Sequence, residues 1–249
     1  LLQGANLSNS NLSGVDFRSV DLTGANLTGA NLSGADLTYS KLTNANFTDV
    51  NLSNVVSKSI VGNPTLPDKY LMKDGYLLGP NVDLSYSYLG DATLVGIDLS
   101  GANLIGANLI GADLSDANLA GASLGGAYLG NIKLVDANLS NAQIGNAHLR
   151  NADLTGANLN GAILAGTDLS DAILINADLT DASLLDVTGL GANFSNAKLL
   201  NVDFIGSWFD DADFSDADLT GSDLRNASFV NANLDGASLG STDTQGTRF

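Results

Sequence analysis

Residues 25–37 read Ala25-Asn26-Leu27-Thr28-Gly29-Ala30-Asn31-Leu32-Ser33-Gly34-Ala35-Asp36-Leu37. A leucine returns every fifth residue, with alanine two before it, Asn or Asp just before it and, in the full repeats, glycine two after it. Outward from this stretch the same spacing runs from Leu7 to Leu52, and again from Leu84 to Phe249. It makes 44 centres, of which 42 are Leu, Ile or Phe; the exceptions are Gly189 and Thr244. A fixed internal period of this kind decides architecture ahead of any local propensity.

Five residues match neither the 3.6 of a helix nor the strict 2 of a long strand. The small residue and the centre lie two apart, so they point to the same side. The residue between them, usually Asn or Asp, points away. Two after the centre stands Gly, Asn or Asp in 39 of 43 cases, the types that accept left-handed and turn conformations. Each pentapeptide therefore reads as a short extended side followed by a bend. Bends of one hand repeated along a chain must coil, with the apolar positions inside. Backbone groups of successive coils can then pair at about 4.8 Å, as in a β-sheet.

The A-(D/N)-L-(S/T)-G pattern, as in Ala25-Asn26-Leu27-Thr28-Gly29 and Ala112-Asp113-Leu114-Ser115-Asp116, resembles the pentapeptide repeat family. The resemblance spans about nine-tenths of the chain. It implies an all-β fold, a right-handed quadrilateral parallel β-helix with four pentapeptides per coil. The coil number comes from the resemblance and not from the period. At four centres per coil the chain would make about 11 coils, about 50 Å of solenoid if gap-free. The resemblance also suggests a cyanobacterial source. Helical caps, which the family often carries, are not evident.

Net charge is −17, and every one of the 27 acids is Asp. Such a chain repels nucleic acid and anionic membrane, and favours basic partners or simple solubility. Cys is absent, which excludes disulfides and thiolate metal sites. No run of about 18 apolar residues is present, so no membrane span is expected. No signal peptide is visible. The chain starts inside a repeat at Leu1-Leu2-Gln3-Gly4-Ala5, which suggests an excised or processed piece. The compartment stays open: cytoplasm, or periplasm or thylakoid lumen if a signal has been removed.

The period predicts a single solenoid in three parts: a first repeat run over 1–54, an insertion over 55–81, and a second run over 82–249. Leu52 and Leu84 are separated by a distance that is not a multiple of five, so the register slips by two. All three Pro and the only Met lie in the insertion, with Lys58, Lys69 and Lys73. Asp74-Gly75, between Tyr70-Leu71-Met72 and Tyr76-Leu77-Leu78, reads as a tight hairpin turn. Lys69, Tyr70, Lys73, Asp74 and Tyr76 are candidate partner contacts, since ordered insertions on solenoids often carry recognition. The simpler reading is a loop folded back to cover an irregular coil.

Residues 20 apart should stack. Lys133 then falls between Asp113 and Asp153, and Lys198 between Asp178 and Asp218. Tyr88, Asn108, Tyr128, His148, Asp168, Thr188 and Trp208 form an outward stripe. The densest charge lies at Asp203, Asp210, Asp211, Asp213, Asp216, Asp218 and Asp223, a second set of candidate contacts. Some members of the resembled family are acidic solenoids that mimic duplex DNA and bind DNA gyrase, and spaced carboxylates could imitate phosphates. The simpler reading is that Asp is a good turn residue and keeps the surface soluble.

Neither a metal nor a cofactor is expected. Hard cations need several oxygens converging on a point, and Asp side chains on a convex solenoid diverge. The single histidine, His148, precedes a centre and should face outward, where a solitary His is a surface residue. Sequons such as Asn6-Leu7-Ser8 follow from the repeat and carry no glycosylation signal. The chain therefore reads as a non-enzymatic scaffold presenting a rigid acidic surface to a protein partner, with the gyrase-binding DNA mimic as the alternative. Two irregularities are expected. Gly189 should leave a void or bulge in the core, and Thr244 suggests a final coil that is frayed or covered.

Overall fold

The computed structural model describes residues 2–249. It divides into two compact units, Leu1–Ser87 with Asp98–Asn103, and Tyr88–Ile97 with Leu104–Phe249. Each is a stack of four-sided, right-handed coils. In the first unit Asn6 bridges in parallel to Asn26 and Asn26 to Asn46, so one coil takes 20 residues and four pentapeptides. Leu7 N–H donates to Asn26 O (2.8 Å) and Asn26 N–H donates to Ala5 O (2.9 Å). The same exchange recurs from coil to coil along the repeat runs, which gives backbone groups on those coils a partner.

The bend is a type II turn. Ala30 N–H donates to Leu27 O at 2.8 Å, and Gly29 at the third position has φ of 66°. All 43 positions two after a centre have positive φ, including the four that are not Gly, Asn or Asp: Ser19, Tyr39, Tyr86 and Ser241. That geometry is why the repeat needs those residue types. Between the bends, the small residue and the centre fill the interior. Ala30, Leu32, Ala35 and Leu37 in the first unit, and Ala112, Leu114, Ala117 and Leu119 in the second, are 1% exposed or less. Each leucine so buried contributes about 1.5–3 kcal/mol.

The repeat does not stop where the centres do. Val56 still bridges to Asp36, Val61 to Lys41 and Thr65 to Asn46. Val56 then bridges to Asp83, 27 residues on rather than 20. The excursion between Thr65 and Asp83 contains the expected hairpin, β1 (Leu71–Lys73) and β2 (Tyr76–Leu78), with Met72 opposite Leu77. Asp74 and Gly75 both have positive φ, 50° and 78°, as a two-residue turn of the mirror-image type I class requires. Strand β2 lies on the coil: Leu77 N–H donates to Ser57 Oγ (2.9 Å), Ile60 N–H donates to Gly75 O (2.9 Å), and Leu77 and Leu78 are buried. The hairpin thus supplies core where the repeat lapses.

In the second unit the expected void at Gly189 is not found. The ring of Phe209, one coil further on, occupies the space a side chain there would need. Leu190 stays 44% exposed, so it has not turned inward. The ladder passes through without a bulge, Gly189 N–H donating to Trp208 O at 2.7 Å. Phe209 belongs to an aromatic stack with Phe194, Phe204, Phe214 and Phe229, with ring centroids 4.8–6.3 Å apart. Thr244 is exposed, yet its coil stays in register, Asp243 bridging to Asp223 and Arg248 to Ser228.

Candidate functional site

Where it is Asn or Asp, the outward residue before a centre has a structural task. Its side chain reaches forward to the residue two on and caps the corner. Asp218 Oδ1 accepts from Thr220 N–H (3.1 Å) and Thr220 Oγ1 (2.6 Å). Asp113 does the same with Ser115, Asp153 with Thr155, Asp168 with Ser170 and Asp178 with Thr180. Asn serves equally, as Asn26 does toward Thr28, because only an acceptor oxygen is needed. This is the physical source of the Asx-x-Ser/Thr pattern.

The seven C-terminal carboxylates follow this rule more than they form a site. Asp203 accepts from Ile205 N–H (3.0 Å), and Asp213 from Ser215 N–H (2.9 Å) and Asn233 Nδ2 (3.0 Å). Asp210 accepts from Ser228 Oγ (2.5 Å) and Val230 N–H (3.0 Å), and Asp211 from Asn231 Nδ2 (3.2 Å). Asp223 accepts from Arg225 Nη2 at 2.6 Å, and the hydrogen bonds from that guanidinium hold its carboxyl below the usual range. The Oδ1 of Asp216 lies over Gly236. Asp203 and Asp223 share one ladder, Asp213 stands in a second and Asp218 in a third, while Asp210, Asp211 and Asp216 sit at corners. The structure does not bring them to one point. Among the described residues no cluster of His, Cys, Asp and Glu could hold a metal.

The stacking ladders stand as the spacing predicts. Lys133 bridges to Asp113 and Asp153, and Lys198 to Asp178 and Asp218. Their ion pairs reach toward the preceding coil, Lys133 to Asp113 at 3.7 Å and Lys198 to Asp178 at 3.4 Å. Both pairs are solvent-exposed, which limits each to about 1 kcal/mol. In the outward stripe Tyr128 stacks on His148, with centroids 5.3 Å apart and planes 19° from parallel.

In the insertion most candidate contacts anchor the segment. Lys69 pairs with Asp98 at 3.0 Å. Tyr70 donates its hydroxyl to Pro80 O (3.1 Å), its ring covers Gly79, and burial pushes its phenol pKa up. Tyr76 is only 6% exposed, because β2 packs onto the coil, so it cannot offer its ring to a partner. Lys73 pairs with Asp74 at 3.8 Å at the exposed tip. Leu71, 40% exposed on β1, was not singled out from the sequence, since the hairpin's orientation was needed to see which strand faces solvent.

An interior space in the second unit is lined only by Leu and Ile side chains between Leu109 and Leu154, which offers no polar group to orient a substrate. Among the described residues, no helix is long and apolar enough to cross a membrane.

The family profile described as Pentapeptide repeats matches residues 1–38, 16–54, 83–119, 112–151, 152–187 and 212–249, and a second profile of the same description matches 190–228. Among solved structures the chain is similar to HetL, a pentapeptide repeat protein involved in heterocyst differentiation regulation from the cyanobacterium Nostoc sp. strain PCC 7120. Identity there is 30%, over 96% of this chain and 88% of that one, with a TM-score of 0.49. A second is Rfr23 from the cyanobacterium Cyanothece 51142, at 27% identity over 41% and 63% of the two chains, TM-score 0.23. A third is QnrB1, a plasmid-mediated fluoroquinolone resistance protein, at 19% identity over 73% and 84%, TM-score 0.26. No curated protein matches the chain.

Proposed function

The chain belongs to the pentapeptide repeat family, a family of non-catalytic structural and binding proteins, and from that premise we propose that it is a scaffold whose partner is another protein. The three-part organisation around residues 55–81 belongs to this reading. The observation that carries it is the ordered hairpin, which puts Lys69, Leu71, Lys73 and Asp74 outward on a chain whose other outward residues are mostly turn caps. Departure from the repeat is where the coil does not dictate the side chain, so selection for a partner acts there. The duplex-mimicking alternative gains nothing from the seven carboxylates, which occupy separate ladders and corners.

Deleting residues 58–78 would remove Ile60 and Leu77 from the core and confound the test. Substituting Leu71→Ser and Lys73→Ser leaves β2 in place. Affinity capture with the parent and this variant, read by mass spectrometry, should recover a partner that the variant loses. Equal recovery of every captured protein would remove the hairpin from the reading. Inhibition of gyrase supercoiling at micromolar protein would favour the mimic instead.

A further inference from the structure

One side of the second unit combines low charge with paired relief at both of its corners. Its ladder, Tyr88–Asn108–Tyr128–His148, carries no carboxylate over four coils, in a chain of net charge −17. Tyr88 and Tyr128 are 69% and 50% exposed. The corner before this side carries Ile105 with Gly125 on the next coil, close enough that a Cβ on Gly125 would touch Ile105. The corner after it carries Gly90, Ile110, Gly130 and Arg150 on successive coils of one column, which continues to Ser170 and Leu190. Each corner therefore sets an exposed isoleucine, 42% and 43% respectively, one coil from a flat glycine. Asp91 and Arg150 stand on the same corner, three coils apart.

We propose that this side is a self-association surface, and that its occupant is a second copy of the same side related by a two-fold axis. The axis runs across the side between the coils of Asn108 and Tyr128, so the two copies lie antiparallel. That operation sets Ile105 opposite Gly125 and Ile110 opposite Gly130. It sets Tyr88 opposite His148 and brings Asp91 toward Arg150. Every contact occurs twice, as an isologous interface requires. On this side and its two corners, over these four coils, the one acid, Asp91, and the one base, Arg150, are placed to pair. Arg150 is held within its own chain by Asp168 (3.6 Å) and Asp171 (3.2 Å), exposed pairs that are cheap to exchange.

Sedimentation velocity across roughly 1–500 micromolar protein should show a concentration-dependent monomer–dimer equilibrium. Gly130→Glu tests the fit directly. Gly130 does not have positive φ, and an added Cβ would have only Arg150 O near it, at 3.9 Å. The variant should keep the parental melting temperature and weaken association at least tenfold. Arg150→Glu should also weaken it, and Asp91→Asn added to Arg150→Glu should recover part of the loss, since the repulsion is then gone. A parent that stays monomeric at every concentration overturns the proposal. So does a dimer that persists unchanged in both single variants.

Discussion

The ring of Phe209 fills the space that a side chain on Gly189 would need. The two residues lie one coil apart, and each departs from the usual leucine at its position in a compensating sense. Restoring the repeat with Gly189→Leu is therefore expected to destabilise the protein by about 1–3 kcal/mol through overpacking. Phe209→Leu in that background should recover most of the loss. Denaturant unfolding of the two single variants and the double closes the cycle. Additive losses would mean that the two positions are not coupled.

The same repeat position gives opposite signs at different serines. Ser207 Oγ accepts from Val187 N–H (2.9 Å) and donates to Leu184 O (2.5 Å), standing inside the turn that those two groups would otherwise close. Ser222 does this for Val202 and Leu199. Ser40 and Thr167 are equally buried, but their hydroxyls have no partner, because the turns one coil back are already closed by Val20 and Ala147. Ser207→Ala should cost about 1–3 kcal/mol, the penalty for stranding buried backbone groups. Ser40→Ala should be neutral or stabilising, since an unpaired buried hydroxyl is itself unfavourable. Thermal melting of the two variants distinguishes them, and equal losses would contradict the account.

Tyr39 and Tyr86 occupy left-handed positions, with φ of 59° and 55°, and are 59% and 69% exposed. A bulky side chain there carries about 1–2 kcal/mol of backbone strain. Tyr39→Asn should raise stability by roughly 0.5–1 kcal/mol by relieving it. A fall in the melting temperature would show that the ring makes a compensating contact.

Hydrogen bonds from Arg18 hold the Asp16 carboxyl down, from 3.8 to about 2. Its folded pKa lies below its unfolded one, so its contribution is present above about pH 4 and is lost as pH falls through about 2. Asp21, Asp113 and Asp223 are shifted the same way by their hydrogen-bond donors. The melting temperature should thus fall between about pH 4 and pH 2. NMR titration of Asp16 should give a midpoint near 2, and a midpoint near 4 would contradict the pairing.

Much of the coil was legible because its cause is local. A turn that needs positive φ two after each centre selects Gly, Asn or Asp there, and an outward Asx capping Ser or Thr sets the other polar positions. Four sides per coil were not legible from the period and came from the family resemblance. What escaped the sequence depends on residues a whole coil apart. Gly189 reads as a void until Phe209 is stacked on it, and the task of Ser207 is visible only when Leu184 and Val187 stand beside it. The acids from Asp203 to Asp223 looked like a cluster because they are close along the chain; folding sends Asp213 and Asp218 to different ladders. The hairpin was legible at Asp74-Gly75, but Tyr76 read as a contact because burial of β2 against Ile60 and Ser57 is tertiary.

The central claim is that these outward carboxylates serve the turns as acceptors rather than as charges. The measurement that meets it most directly is the melting temperature of two triple variants at neutral pH. One converts Asp203, Asp213 and Asp218 to Asn, and the other converts them to Ala. Asn keeps the acceptor oxygen and should melt within a degree or two of the parent, whereas Ala should lose about 0.5–1.5 kcal/mol per site. If the Ala variant melts like the parent, or the Asn variant falls as far as the Ala variant, the carboxylates are not turn caps and the account fails.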